Sequence, residues 1–202
     1  MGIEGKIDYT LDPDLMKQRA QDAKMKELEF DQKTGLSSGD LLGLRLGNLI
    51  DKLNSVENNE TLHKIMVIAL DMNGLSFFND NYGHAVGDKA LIAFANRLRI
   101  VIKDVDFVFR HNNEGGDEFI VLLQISKEKI DSDKIFNRIK EAVHSGLSIN
   151  IGGKDFPITA AMGYVMVEKG SPETIDEILH AADLEMYKDK INGKDIQEDY
   201  SI

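Results

Sequence analysis

The chain has 202 residues, no cysteine and a formal net charge of −11 at pH 7, with an isoelectric point near 4.9. This length fits one domain of ordinary size plus a short extension, and without cysteine neither a disulfide framework nor a thiolate metal site can form. The acidic balance argues against a nucleic-acid partner, which calls for a basic stripe along its phosphates; a polyanion could bind only where divalent cations neutralise it. No apolar run approaches the ~18 residues of a membrane span and no signal peptide is visible, so a cytoplasmic protein without membrane insertion is expected.

Met1–Thr10 shows no period and reads as a tail. From Asp12-Pro13-Asp14 to about Phe30 helix formers predominate, with Pro13 in the first turn, but the sparse apolar positions keep no heptad; a connecting helix is expected. Gly39–Leu53 is an amphipathic helix with Leu41, Leu42, Leu46, Leu49, Ile50 and Leu53 on one side. Ile65–Leu70 is a continuous apolar run, the pattern of a central strand buried on both faces. Val86–Ile102 is helical, and Asp106–Arg110 with Glu118–Ile125 form a hairpin around Gly115-Gly116. Asp133–His144 is a helix, Leu147–Phe156 a small hairpin around Gly152-Gly153, and Ile158–Val167 a further strand. Thr174-Ile175-Asp176-Glu177 has the form of a capping box, opening a helix that runs to about Ile191 and is stopped by Asn192-Gly193. The order β-α-β-β-α-β predicts an α+β fold of ferredoxin-like plan, a mainly antiparallel sheet flanked by helices. Residues 1–30 are expected to form the tail and connecting helix, and residues 31–202 one domain.

Two places concentrate acids at strand ends. Asp71 closes the run Ile65–Leu70, and Asp117 with Glu118 opens the second strand of the long hairpin. A lone acid at a strand end is usually no more than a solvated terminus. Paired on neighbouring strands, Asp71 and Asp117 become a plausible clamp for Mg²⁺, which takes few oxygens from protein and the rest from phosphate and water. Gly115-Gly116 reads as a turn; without Cβ atoms it also lets backbone approach a triphosphate closely. Asp88 reads as an N-cap for a helix beginning near Lys89, His84 as a loop residue, and Lys190 with Lys194 as a solvated i,i+4 face.

Gly115-Gly116-Asp117-Glu118-Phe119, taken with the block Asp71-Met72-Asn73-Gly74-Leu75-Ser76-Phe77-Phe78-Asn79-Asp80-Asn81-Tyr82-Gly83-His84-Ala85-Val86-Gly87-Asp88, resembles the GGDEF family of diguanylate cyclases, and the match extends from about Asp31 to Asp195. The resemblance implies a palm-type sheet like that of nucleotide cyclases and the joining of two GTP into cyclic di-GMP with release of pyrophosphate. It further implies about two Mg²⁺ (or Mn²⁺) ions per site, held by Asp71, the backbone carbonyl of Met72, and Asp117. Asp117 would help deprotonate the attacking 3′-hydroxyl, and Glu118 would support the metal cluster. Asn79 and Asp88 match the pair that reads guanine; a carboxylate can accept from N1–H and the 2-amino group together, with an amide as complementary donor. His84, Gly115 and Gly116 match substrate contacts, and Lys190 and Lys194 match phosphate contacts. Such enzymes act as homodimers, here with any upstream sensor domain outside the chain.

Four places depart from the family pattern. Ser76 replaces a Lys credited with stabilising charge during transfer, and a hydroxyl brings no cation. His111, Asn112, Asn113 and Glu114 separate Arg110 from Gly115, where one residue is usual. The opening motif Asp-x-Leu-Thr-Gly-Leu-x-Asn-Arg reads Asp31-Gln32-Lys33-Thr34-Gly35-Leu36-Ser37-Ser38-Gly39. The inhibitory product site Arg-x-x-Asp reads Lys103-Asp104-Val105-Asp106, which predicts weak product binding. Two functions lead on these residues: an active cyclase, or a weak or inactive domain that binds GTP or a protein partner as a regulatory module. A purely structural palm domain or another nucleotidyl transferase would leave Asn79 and Asp88 without purpose.

Overall fold

A computed structural model describes residues 29–55, 61–102, 106–111, 116–126 and 128–193. The tail and nearly all of the expected connecting helix lie outside the described residues, as do Lys103, Gly115, Lys194 and Asn112–Glu114 of the lengthened turn. In chain order the elements are β1 (Ser37–Ser38), a 3₁₀ turn (Gly39–Leu41), α1 (Leu42–Asn54), β2 (Lys64–Met72), α2 (Leu75–Tyr82), α3 (His84–Val101), β3 (Phe107–His111), β4 (Glu118–Ile125), α4 (Ser132–His144), β5 (Ser148–Ile151), β6 (Lys154–Pro157), β7 (Ala160–Glu168) and α5 (Ile175–Asn192).

The apolar run of β2 places it at the centre of three layers. Its odd residues Ile65, Val67 and Ala69 pack with Leu42, Leu46, Leu49 and Leu53 of α1 and Ile178, Ala182 and Met186 of α5. Its even residues Met66, Ile68, Leu70 and Met72 face Leu75 and Phe78 of α2, Leu91, Phe94 and Leu98 of α3, and Val143 of α4. Period-2 side-chain alternation in a strand with two buried faces gives this division. The five-stranded sheet has the order β1-β3-β4-β2-β7; β1 runs parallel to β3, and the other pairs are antiparallel. Stripped of β1 and the β5–β6 hairpin, this is the ferredoxin-like α+β plan expected from the sequence. Among the described residues no helix is long and apolar enough to cross a membrane.

Gly163 on β7 sets the seat of α5. A Cβ there would lie 2.0 Å from the Met186 backbone nitrogen and 2.3 Å from the Glu185 carbonyl carbon, so only a glycine lets helix and strand backbones approach this closely. The N-terminus of α5 carries the expected capping box, with Glu177 N donating to Thr174 Oγ1 at 3.3 Å and Thr174 N donating to Glu177 Oε2 at 2.8 Å. Its end differs from the expected glycine stop only in conformation: Gly193 has φ −90° and is not left-handed.

Three features depart from the sequence reading. Residues 75–82 form helix α2, which seals Leu75 and Phe78 into the core between the positive-φ glycines Gly74 and Gly83. Helix α3 begins at His84, with Gly83 as its N-cap, so Asp88 lies in the helix and caps nothing. Ser37–Ser38, which carry no strand signal, form the edge strand β1.

Candidate functional site

The acidic end of the sheet is built by register. Asp71 on β2 pairs with Glu118 on β4 and with Ala161 on β7, and Met72 N donates to the carbonyl of Asp117 at 2.9 Å. The tip of one strand and the turn entering the next are thereby tied, which brings the acids predicted from the two strand ends to one edge. Asp71 is buried and accepts a hydrogen bond from Lys190 Nζ on α5 at 2.8 Å. Burial, then the charge of Asp71, pushes the carboxyl of Asp117 above its ordinary range, with Lys190 opposing and Glu118 adding to the shift. One lysine thus bears on both Asp71 and Asp117, and Glu118 adds a further negative charge beside Asp117.

This donor set suits a small divalent ion shared with a ligand. Among the described residues, no group of three Asp, Glu or His side chains forms an all-protein cage. Mg²⁺ does not need one, since it keeps waters and phosphate oxygens and takes only one or two carboxylates. Burial, and then the charge of Asp71, disfavours the ionised form of Asp117, and a cation bound between them would offset both.

Arg110, not singled out in the sequence, holds Gly116, the residue directly before Asp117. Its buried guanidinium donates through Nη1 to both oxygens of Asp31, at 3.1 and 3.0 Å, and through Nε and Nη2 to the carbonyl of Gly116, at 3.1 and 3.0 Å. Asp31 Oδ1 also accepts from Thr34 N at 2.7 Å and Thr34 Oγ1 at 2.5 Å. Burial works against the charge of Asp31, but the bonds from Thr34 and Arg110 outweigh it and hold the carboxyl below its usual range. The opening motif, Arg110 and Gly116 are one hydrogen-bonded unit.

Asn79 on α2 lies against Gly87 on α3, the residue before Asp88. A Cβ on Gly87 would stand 2.0 Å from Asn79 Oδ1, so the amide lies directly over the residue preceding Asp88. Helix α2 is held there by an aromatic cluster, with Phe156 of the β5–β6 hairpin 5.9 Å from Phe77 and 5.6 Å from Tyr82 between ring centroids. Asp88 also pairs with Lys33 Nζ at 2.5 Å, a partner the sequence did not suggest. Ser76 on α2 and His84 at the start of α3 are both exposed. Asp106 is engaged within the sheet, its Oδ1 accepting from Gln124 N at 2.8 Å, and it borders a cavity between α3, β4 and α4 that Arg97 and Arg138 also line. Neither arginine belongs to the four-residue stretch Lys103–Asp106 read from the sequence.

The chain matches the family model "Diguanylate cyclase, GGDEF domain" over residues 28–195. It belongs to the GGDEF family. It is 35% identical over 153 residues to the biofilm architecture maintenance protein MbaA of Vibrio cholerae, a match covering 70% of this chain and 18% of MbaA. To the diguanylate cyclase DgcP of Escherichia coli it is 33% identical over 130 residues, covering 63% of this chain and 36% of DgcP. It therefore spans well under half the length of either relative. Among solved structures, a sensory box/GGDEF family protein from Caulobacter crescentus is similar with a TM-score of 0.66 and 27% identity, covering 82% of this chain and 99% of that one.

Proposed function

We propose that the chain is a diguanylate cyclase domain: 2 GTP → cyclic di-GMP + 2 pyrophosphate. The observation that carries this reading is the edge where Asp71, Asp117 and Lys190 meet; Asn79 against Gly87, next to Asp88, supports a base site on the adjoining helices. Asp71, the Met72 carbonyl and Asp117 would hold Mg²⁺ or Mn²⁺, with Glu118 in support; bound there, such ions neutralise the triphosphate and lower the pKa of the attacking hydroxyl. Asp117 takes the proton of the 3′-hydroxyl as the 3′-oxygen bonds to the α-phosphorus of the second GTP and the bond to pyrophosphate breaks. Lys190 binds phosphate oxygens, exchanging its contact with Asp71 for the ligand, and Lys194 and the Gly115-Gly116 backbone assist. Asp88 accepts from N1–H and the 2-amino group of guanine, Asn79 donates to the same edge, and His84 borders the substrate. Adenine would place a ring-nitrogen acceptor against Asp88, a mismatch worth on the order of 10⁴-fold in a desolvated site.

Each subunit binds one GTP, so two copies meet face to face for the reaction, in the cytoplasm. The test is direct: the purified chain, incubated with GTP and Mg²⁺ or Mn²⁺, should form cyclic di-GMP, and Asp117→Ala should abolish it. A second reading, a GTP- or protein-binding regulatory module, is favoured by Ser76, which brings no cation to the phosphate site. GTP binding without product in the unmodified chain would select it.

A further inference from the structure

Lys33 reaches across 55 positions of sequence to place Nζ 2.5 Å from Asp88 Oδ1. The two side chains are 41% and 42% exposed, and an ion pair so open to water contributes little to stability. The fold therefore does not account for the contact. The backbone that presents Lys33 is, by contrast, closely held. Thr34 N and Oγ1 bond to Asp31, Gly35 N donates to the Asp31 carbonyl at 2.6 Å, and Arg99 Nη2 donates to the Thr34 carbonyl at 2.7 Å. Gly35 takes φ 65°, which closes this turn. A rigid turn thus aims an ammonium at the carboxylate assigned to the base, at a position where the family's opening motif carries leucine.

We infer that Lys33 is a specificity-determining residue that donates a hydrogen bond to the O6 carbonyl of guanine. This inference rests on the assignment of Asn79 and Asp88 as the base-reading pair. The chemistry follows from adjacency. When Asp88 accepts from N1–H, the O6 oxygen lies on the next ring atom, beside the ammonium already bonded to that carboxylate. A carboxylate offers about four acceptor positions and an ammonium three donors, so lysine and base share Asp88 without displacing one another. Adenine would set its 6-amino group against the same ammonium, donor against donor.

Titration calorimetry of the full chain with 3′-deoxy-GTP, which lacks the attacking hydroxyl, tests this against 3′-deoxy-6-thio-GTP. The thio analogue keeps N1–H and the 2-amino group but offers a poorly accepting sulfur at position 6. Lys33→Met should weaken 3′-deoxy-GTP binding about ten-fold, as for loss of a charge-assisted hydrogen bond, and the thio analogue by less than about two-fold. Lys33→Arg should retain most of the affinity for both. Equal weakening of both nucleotides would overturn the inference, because the lysine would then be acting on the phosphates or merely holding Asp88. Unchanged or tighter 3′-deoxy-GTP binding in Lys33→Met would also overturn it, the latter identifying the lysine as a plug. Equal binding of 3′-deoxy-GTP and 3′-deoxy-ATP by the unmodified chain would remove the base-reading assignment itself, and the inference with it.

Discussion

Arg110 holds both carboxylate oxygens of Asp31, 79 positions away in sequence, with the same guanidinium that fixes the Gly116 carbonyl. A planar fork fixes the directions of its donors and so holds two acceptors in one rigid geometry, whereas an ammonium on a flexible stem acts as a point charge. The contact makes the aim of Asp117 depend on the loop that opens the domain.

Arg110→Met should therefore destabilise the chain by about 3–5 kcal/mol, the usual cost of leaving one member of a buried ion pair without its partner. Urea denaturation reads this, and a loss below about 1 kcal/mol would show that the pair is dispensable. The pH dependence has a definite sign. The folded-state pKa of Asp31 is lowered, so its stabilisation is present above the unfolded value of about 3.9 and is lost as pH falls through the folded value. Asp31→Asn should flatten that acid limb.

Asp117 has the opposite sign. Its folded-state pKa is raised, by burial first and by Asp71 second, so ionising it costs stability once pH rises through the folded value. In metal-free buffer Asp117→Asn should raise the melting temperature at pH 7, and the gain should vanish below the unfolded carboxylate range, where both states are protonated. Cyclic di-GMP formation should be lost in the same variant. A melting temperature lowered at pH 7 would mean that burial and Asp71 together do not disfavour this carboxylate in the folded chain.

The elements that sequence made legible are those whose burial follows a period. β2 shows as a continuous apolar run because both faces are covered, and α1 as a leucine stripe because one is. Helix α2 was not legible, since only Leu75 and Phe78 of its eight residues are buried and positive-φ glycines flank it. β1 is two residues long and borrows its conformation from β3. The same distinction runs through the site. Asp71 and Asp117 stand out because strand ends can be located from local pattern. The bonds Arg110–Asp31 and Lys33–Asp88 span 79 and 55 positions, and nothing local in the sequence encodes them.

Gly163→Ala should push α5 off β7, because its methyl would enter the backbone at Glu185 and Met186. Overpacking of this kind typically costs about 1–3 kcal/mol, and a displaced α5 would also carry Lys190 away from Asp71. Urea denaturation together with KM for GTP measures both effects. An alanine variant with unaltered stability would show that the helix has room to move.

Ser76 is exposed on α2 and brings no charge to the phosphates. If transfer is slowed by that missing cation, Ser76→Lys should raise kcat by more than it lowers KM, as for a group acting chiefly in the transition state. Preorganised charge of this type is worth up to roughly 10²–10³ in rate. An unchanged kcat would assign the role to Lys190, and Lys190→Met should then be the variant that abolishes turnover.

Product feedback should be mild. Recognition of cyclic di-GMP at an Arg-x-x-Asp motif gains from a fork that grips a guanine edge or phosphate with two parallel bonds, whereas Lys103 offers a point charge. Asp106, the acid of the motif, already accepts from Gln124 N at 2.8 Å, so part of its acceptor capacity is taken by the sheet. Arg97 and Arg138 line the neighbouring cavity and are the two guanidinium groups placed to compensate. Calorimetric titration with cyclic di-GMP should accordingly give binding weaker than about micromolar, little altered by Lys103→Ala. Submicromolar binding lost in Lys103→Ala would make the lysine a true substitute for arginine, and submicromolar binding lost instead in Arg97→Ala or Arg138→Ala would relocate the product contact to the wall of that cavity.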